Sequence, residues 1–307
     1  MEIRPLQRED FDALHELFNP LAGLIPRHYR PDREQFVVEL THKSNVEKPD
    51  VMPREGEIAL VAIEREVPVA LAMGCYLAKD GTRGSVPAGT GVVRWVLAGP
   101  NDHLATRAVV SGVVKHLRTF NPKKILAMTD AYAPPFYDEG VGRLTSAWPW
   151  LALWLTQEQF VPSTNVLRMW RPIDDGVLPS APPEGVEIQV IKPSPGRVGV
   201  EFALSRTATL AGEPLAVGRA EARFGEEYVR SVGRGALFIS ELEVNEKHRH
   251  LGIGRALLSS LLLEAQIAGA TEATILCPTV DFAAQSLLRT EGFAPIDLLW
   301  DFELKND

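Results

Sequence analysis

The amino-acid sequence predicts an α/β protein of two tandem domains, each built from a mixed, mostly antiparallel sheet flanked by helices. Three observations lead to this fold class. In both halves of the chain, strand-like alternation is followed by helical spacing of apolar residues. A stretch near the middle, RPIDDGVLPSAPPEGV, is rich in proline and acidic residues and has no periodicity. Short segments of the first half also recur in the second half in the same order.

The internal repeat consists of pairs of similar segments. The pairs, first half before second, are MEIRPL and VEIQVI, EREVPVALAMG and LAGEPLAVGRA, RAVVSGVVKHL and RALLSSLLLEA, ILAMT and ILCPT, and LWLTQEQF and LLRTEGF. Each pair is weak, but their shared order is hard to obtain by chance. We therefore predict domains at residues 1–170 and 186–307, joined by a proline-rich linker over 171–185.

The same succession of elements is expected in each half. An opening strand and a hairpin are followed by a longer strand, a helix, a strand, a second helix and a last strand. The hairpins turn at EREV in the first half and at AGEP in the second. The helix expected to begin near Gly254 carries apolar residues at i, i+3 and i+4, which are Leu257, Leu258, Leu261, Leu262 and Ala265. This spacing predicts a helix with one buried face.

The composition narrows the class of protein. With a formal net charge of -8, the chain lacks the basic face with which proteins neutralise nucleic-acid phosphates. Cys75 and Cys277 lie far apart in apolar runs, without the spacing of a metal site or a disulfide framework. The N-terminal residues do not resemble a signal peptide, and no apolar run approaches the roughly 20 residues of a membrane helix. We expect a cytoplasmic protein that binds no metal, nucleic acid or membrane, and the oligomeric state is left open.

One strand of the second half has an irregular apolar pattern. In ALFISELEV the apolar residues Ile239, Leu242 and Val244 are three and then two positions apart. Strict alternation would give two and two, so one extra residue is expected as a β-bulge near Ser240 and Glu241. Such a bulge would separate the strand from its neighbour and free backbone groups for a ligand.

The segment NEKHRHLGIG connects this strand to the next helix and is a candidate anion site. A helix N-terminus offers backbone N–H groups and a partial positive charge. Gly252 and Gly254 would let an anion approach these groups without a Cβ in the way, and Arg249 adds a full positive charge. These residue types predict that the loop binds a phosphate or a pyrophosphate.

Three kinds of phosphate loop have similar glycine patterns. A P-loop requires lysine and then serine or threonine after its second glycine, whereas Gly254 is followed by Arg255 and Ala256. A dinucleotide-binding loop requires a third glycine or alanine where this chain has Leu257, and its strand ends closer to the loop. The pattern that fits is arginine or glutamine, two residues, glycine, one residue, then glycine or alanine, present here as RHLGIG.

That pattern resembles the signature of the GNAT superfamily of N-acetyltransferases. Around it, LEVNEKHRHLGIGRALL is similar to the family's usual succession of apolar strand, loop and helix start. The later segment AAQSLLRTEGF matches a second family motif at Ala284, Leu287, Gly292 and Phe293. The resemblance covers roughly residues 237–293 and implies a GNAT domain in the second half.

The first half departs from the family at the loop. Leu104 and Thr106 stand where the glycines are expected. The first half does contain, over residues 7–44, the helical material that family members place between their first two strands, where the second half has only KPSPGRVGV. The resemblance therefore implies a degenerate first half in tandem with a cofactor-binding second half.

An aromatic insertion at 131–150 is either a lid over a substrate or a loop that packs on its own half.

The resemblance also implies the cofactor and the residues that bind it. Similar proteins hold acetyl-CoA in a cleft between the fourth and fifth strands, with the pyrophosphate on the loop and the pantetheine arm on the bulged strand. Carried over to this chain, Leu242 and Val244 bind the arm. The loop residues that bind the pyrophosphate are Arg249, His250, Leu251, Gly252, Ile253, Gly254 and Arg255.

The implied reaction is direct attack of an amine on the thioester, which requires a base for the amine proton. Glu241 and Glu243 are the candidate catalytic bases because many members carry an acid on this strand, although both could be solvated strand carboxylates. Leu288 stands where the family's usual acid is a tyrosine. We predict an N-acetyltransferase, an acyltransferase that moves acetyl from acetyl-CoA to the amine of a small molecule or peptide. The alternative is a non-catalytic acyl-CoA-binding sensor or scaffold module.

Overall fold

In a computed structural model, the chain forms two compact units, which we call unit 1 and unit 2. Unit 1 comprises Met1–Asn165 and Leu298–Asp307, and unit 2 comprises Val166–Asp297. The structure describes residues 1–28, 30–41, 54–78, 86–129, 142–174, 177, 179–191, 202–210, 216–224 and 235–305. Both units combine helices with a mixed, mostly antiparallel sheet, so the predicted fold class is confirmed.

Unit 1 begins with a short strand and two helices and continues with a sheet. Its strands are β1 (Glu2–Pro5), β2 (Arg54–Glu64), β3 (Val67–Leu77), β4 (Thr90–Ala98), β5 (Lys124–Ala127) and β6 (Leu144–Thr145). Its helices are α1 (Phe11–Ala22), α2 (Arg33–Thr41), α3 (His103–Arg118) and α4 (Pro149–Gln157). The first five strands are neighbours in chain order, and β4 and β5 run parallel while the other pairs are antiparallel.

Unit 2 repeats this arrangement. Its strands are the end of β7 (Phe160–Pro172), β8 (Val186–Ile191), β9 (Phe202–Leu210), β10 (Gly218–Phe224), β11 (Ala236–Val244) and β12 (Glu272–Pro278). Its helices are α5 (Ile253–Ile267) and α6 (Phe282–Thr290), and the last strand of the chain is β13 (Ala294–Leu304). The sheet has the order β7, β12, β11, β10, β9, β8, with β11 and β12 parallel and the other neighbours antiparallel.

Each unit has its own hydrophobic core, and one helix in each supplies much of it. The predicted apolar face of α5 is buried, since each of its five residues is at most 1% exposed. Full burial of a leucine side chain contributes about 1.5–3 kcal/mol, so this face firmly positions the start of α5 at the sheet. In unit 1 the matching face of α3 consists of Val109, Val110, Val113 and Leu117.

The compact units do not have the bounds of the sequence repeat. Residues 166–172, which span the end of the predicted first domain and the first two residues of the predicted linker, belong to unit 2, where they pair antiparallel with β12. The end of β13, from residue 298 onward, belongs to unit 1, where it pairs with β5 and β6. Each sheet thus satisfies backbone hydrogen-bonding groups with a strand from the other half of the sequence. The predicted division at 1–170 and 186–307 therefore follows the repeat, whereas the compact units follow strand pairing.

The stretch predicted as a linker, 171–185, packs on unit 2 over its described residues. Ile173 and Val177 are buried in the core of that unit. The backbone N–H of Ser180 donates a hydrogen bond to Ser259 Oγ on α5, with a donor–acceptor distance of 3.0 Å. Isolated apolar residues between the prolines therefore hold this segment against the helix, which composition alone did not predict.

Of the two predicted hairpin turns, only the first lies within the described residues. The hairpin turn at EREV is confirmed, since Arg65 and Glu66 join β2 to β3 with φ of 50° and 68°. The turn at AGEP, the segment KPSPGRVGV and most of the aromatic insertion at 131–150 lie outside the described residues. Within the described ranges, every helix is too short or too polar to cross a membrane.

Candidate functional site

Two neighbouring strands of unit 2 part at the predicted bulge. β11 and β12 pair in parallel up to Ile239, and both strands continue beyond that pairing. On the opposite side of β11, Glu221 of β10 lies across from Glu241, but Ala222 lies across from Ile239. Ser240 is therefore the extra residue, and the predicted bulge is confirmed. A bulge of this kind bends the strand and frees its backbone groups from the ladder.

A cleft of about 450 Å³ lies beside the end of β11. Its walls are the end of β11, the loop that follows, the start of α5 and the start of α6. The lining residues are Leu242, Glu243, Val244, His248, Arg249, His250, Gly252, Ile253, Gly254, Arg255, Asp281, Ala283, Ala284 and Leu287. Apolar side chains from the strand and α6 thus face basic side chains from the loop. This combination suits a ligand with an anionic group and an apolar arm.

The loop before α5 turns by left-handed backbone conformations. His250 has φ of 66° and Gly252 has φ of 84°. The helix begins at Ile253, and its first internal hydrogen bond runs from Ala256 N–H to Gly252 O at 3.1 Å. The N–H groups of the residues between them precede that bond and form the positive end of the helix.

Gly254 keeps the cleft open at this helix end. A Cβ built on Gly254 would lie 3.3 Å from Leu287 Cδ2 and 3.6 Å from Val244 Cγ2, and both of these residues line the cleft. A larger side chain would therefore project into the space next to the helix N-terminus. Gly252 is required for a different reason, because its positive φ disfavours a side chain.

The basic side chains of the loop differ in how they are held. Arg249 is exposed and donates from Nε to the carbonyl oxygen of Val244 at 3.2 Å. Arg255 forms an ion pair with Glu291, with Nε and Oε1 2.8 Å apart.

Among the predicted cofactor residues, Leu251 is 54% exposed and does not line the cleft. The other eight predicted cofactor residues all line it, and their role in binding remains a prediction.

The two candidate bases have different surroundings. Glu243 is exposed and lines the cleft. Glu241 is partly buried and does not line it. The Oε2 of Glu241 lies 3.9 Å from Nε of Arg219 on β10, and the same arginine also pairs with Glu221. Glu241 therefore belongs to a charged cluster on neighbouring strands next to the bulge, whereas Glu243 belongs to the cleft itself.

Position 288 is part of the core of unit 2. Leu288 is 1% exposed and packs among the buried apolar residues, while its neighbour Leu287 faces the cleft. Sequence reasoning missed Asp281 in the cleft wall, which caps α6 by accepting the Ala284 N–H at 2.9 Å. An aspartate just before a helical run is an N-cap signal that could have located it. His248 also lines the cleft.

The two cysteines are buried free thiols. Burial, with a smaller effect of the Asp281 charge, raises the pKa of the Cys277 thiol to about 11. At pH 8 the thiolate, which is the reactive form, would then be about one molecule in a thousand. A buried thiol with so high a pKa, as in Cys277, is unsuited to act as a nucleophile.

We therefore expect the native protein to resist thiol reagents. Incubation with a colorimetric disulfide reagent at pH 8 should titrate neither Cys75 nor Cys277 within minutes. The same reagent in denaturant should titrate both, which provides the internal control. Rapid modification of the native protein would show that one of the thiols is accessible.

Unit 1 has a bulge at the matching place in its sheet. β3 places Met73 across from Trp95 and Gly74 across from Val93, so Arg94 is the extra residue of β4. The parallel pairing of β4 with β5 also ends at Val93. The backbone geometry that precedes the cleft in unit 2 is thus present in unit 1.

Side chains of unit 1 occupy the region that follows this bulge. The indole Nε1 of Trp150 donates to the carbonyl oxygen of Ala98, the last residue of β4, at 3.0 Å. Asp102 precedes α3 where Gly252 precedes α5, and its carboxylate accepts the Gly99 N–H at 3.1 Å. Burial raises the pKa of Asp102, opposed by the Gly99 hydrogen bond and assisted by the charge of Glu64.

The connection before α3 is also too short to match the loop of unit 2. It spans residues 99–102, against 245–252 before α5. Counted from the helix starts, Leu104 matches Gly254, two residues away from the match that the sequence repeat suggests. A leucine, an acidic cap and a shortened loop all disfavour an anion at this helix end.

Comparison with known proteins identifies the fold. Neither a protein-family model nor a curated protein matches the sequence. A tandem GNAT protein from the clavulanic acid biosynthesis pathway matches 100% of this chain and 99% of its own, with a TM-score of 0.67 and 14% identity. A GCN5-related N-acetyltransferase from Sphaerobacter thermophilus matches 98% of this chain and 94% of its own, with a TM-score of 0.63 and 14% identity.

A third solved structure extends this likeness. A GCN5-related glucosamine N-acetyltransferase region of a fungal multi-domain GH3 β-N-acetylglucosaminidase matches 99% of this chain and 38% of its own. Its TM-score is 0.68 and its identity 11%. At identities this low, the likeness of the three structures shows the fold alone, and that fold covers the whole chain.

Proposed function

We propose that this chain, which has a tandem GNAT fold, is an acetyl-CoA-dependent N-acetyltransferase. The acceptor is the amine of a small molecule or a peptide. Because one fold hosts many functions, the proposal depends on the site. The observation that carries it is the cleft of unit 2, where a bulged strand ends beside the glycine-containing start of α5.

The lining of the cleft fits the parts of acetyl-CoA. The N–H groups at the start of α5 and the guanidinium of Arg249 suit a pyrophosphate. The end of β11, which no longer pairs with β12, offers backbone groups to an extended amide-containing arm. The apolar surfaces of Leu242, Val244 and Leu287 would pack against that arm.

The residues of the chain would orient the reactants and receive a proton. When bound, acetyl-CoA supplies an activated thioester carbonyl. Backbone N–H groups of β11 beyond the bulge can polarise a carbonyl that is placed beside them. Glu241 or Glu243 would accept the proton of the amine, directly or through water. We assign this role to Glu241, which lies directly after the bulged residue Ser240. Because its side chain does not line the cleft, it would receive the proton through water.

A non-catalytic acyl-CoA-binding module is the second candidate function. Leu288 favours it, because this buried apolar side chain stands where the resemblance leads one to expect a tyrosine that acts as the general acid. A leucine cannot protonate a departing thiolate. In the catalytic proposal, the thiolate leaves without help from this position or takes a proton from water in the cleft.

We place the protein in the cytoplasm. Its buried cysteines are both free thiols, which agrees with a reducing compartment. The acceptor is proposed as an amine because the loop and the second motif resemble those of N-acetyltransferases. Attack by an amine requires a proton acceptor and an oriented thioester, both of which the site can supply.

The proposal is tested by binding and turnover measured separately. CoA binding is followed by calorimetry, and acetyl transfer by release of free thiol from acetyl-CoA with a panel of small and peptide amines. Thiol release above the rate without amine would support the enzyme. CoA binding without release for any amine would favour the binding module, and absence of CoA binding would overturn both.

A further inference from the structure

We infer that unit 1 carries a second ligand site, a groove that binds a small organic carboxylate with an apolar body. The groove has a volume of about 250 Å³ and lies wholly within unit 1. One face of α3, the turn after α4 and the end of β13 form its walls. It shares no residue with the cleft of unit 2 or with the residues assigned to acetyl transfer.

The floor and the rim of the groove differ in chemistry. The floor is apolar, with Val114 partly exposed and with Val110, Phe160 and Leu304 lining it from buried positions. Lys115, Arg118 and Lys305 supply positive charge, and all three are exposed. This cluster stands out in a chain whose formal net charge is -8. An apolar floor with a cationic rim selects a ligand that carries an anion at one end and an apolar group at the other.

The acidic residue of the groove is already paired. Both carboxylate oxygens of Glu158 are engaged, Oε1 by Arg107 Nε at 2.7 Å and Oε2 by Ser111 Oγ at 3.1 Å. Within the part of the chain that the structure describes, the three cations of the rim form no ion pair. The groove therefore presents positive charge that an external anion can neutralise.

The turn after α4, which carries Glu158, is held in place by a backbone hydrogen bond. The N–H of Lys305 donates to the carbonyl oxygen of Gln159 at 3.0 Å, which ties the end of β13 to the turn after α4. Gln159 has φ of 69°, a left-handed conformation that ends α4 sharply before β7. The spacing between the turn and the end of β13 is thus set before any ligand binds, which lowers the cost of ordering on binding.

The test uses benzoate, whose ring and carboxylate match the floor and the rim. Binding is followed by the NMR line width of benzoate with the full chain, with benzyl alcohol and inorganic phosphate as comparison ligands. We expect benzoate to bind at least about tenfold more tightly than either, because each comparison ligand lacks one of the two features. Equal binding of benzoate and phosphate, or no benzoate binding at millimolar concentration, would overturn the proposal.

Charge variants locate the bound benzoate. Arg118→Gln and Lys115→Gln should each weaken it by about threefold, the scale of one exposed charge. Glu158→Gln, which removes the paired acid, should tighten binding by a similar factor. Arg8→Gln, an exposed cation elsewhere in unit 1, should change nothing. Effects of the same sign in Glu158→Gln and Arg118→Gln would show that charge in this groove does not control binding, and the site would be rejected.

Discussion

Replacement of Gly254 by valine should lower the affinity for CoA by about 100-fold, equivalent to about 2.7 kcal/mol. A Cβ at this position would already lie 3.3 Å from Leu287 Cδ2 and 3.6 Å from Val244 Cγ2. The two methyl groups of valine would extend further into the cleft, beside the N–H groups at the start of α5. They would displace a bound pyrophosphate and leave those groups without their charged partner.

The fold should tolerate this change, which makes the measurement interpretable. Gly254 is not among the glycines with positive φ, and a valine near a helix start costs less than about 1 kcal/mol in helix propensity. Ser286→Val is the matched control, because it places the same side chain at an exposed position of α6 outside the cleft. Calorimetry with CoA should separate the two variants, and their melting temperatures should be similar. Wild-type affinity for CoA in Gly254→Val would show that the pyrophosphate does not bind at this loop.

Replacement of Glu241 by glutamine should lower kcat by about 100-fold, with little change in CoA affinity. Loss of a general base typically costs this much or more. The change is nearly isosteric, and it leaves Glu221 to pair with Arg219, so the strand pairing of β10 and β11 should persist. The measurement is the pH profile of kcat/KM, in which the wild-type limb that reports the base should disappear in the variant.

Glu243→Gln is the matched comparison for this experiment. It removes the same charge from the same strand two residues later, but from a side chain that lines the cleft. We expect a change of only a few-fold in kcat. The reverse ranking would transfer the role of base to Glu243. Wild-type turnover in both variants would mean that the amine attacks without a protein base.

Local patterns in the sequence were sufficient for the bulge and the loop. The bulge at Ser240 followed from the broken alternation of Ile239, Leu242 and Val244, because side chains alternate along any regular strand. The loop was predicted from its glycines, because glycine adopts a positive φ more readily than other residues, as Gly252 does here. Both depend on residues within a few positions of each other, so a single sequence determines them.

The partners of these segments were decided by the tertiary structure. The sequence repeat predicted two halves, yet β12 of the second half pairs with residues 166–172, most of which lie in the first half, and β5 of the first half pairs with β13 of the second. Strand pairing joins residues far apart in the chain through backbone hydrogen bonds, which depend little on the identity of the side chains. Side-chain patterns therefore predict that a strand exists, but they hold little information about its partner.

The same reason separates what was predictable in the site from what was not. The sequence by itself determined the tandem α/β class, the bulged strand and a glycine-containing loop before a helix, since each depends on periodicity or on local backbone chemistry. The tertiary structure decided that Glu243 lines the cleft while Glu241 pairs with Arg219, that Asp281 joins the cleft wall, and that Trp150 bonds to the end of β4. These relations are distances between segments remote in the chain, and only packing of the folded chain sets them.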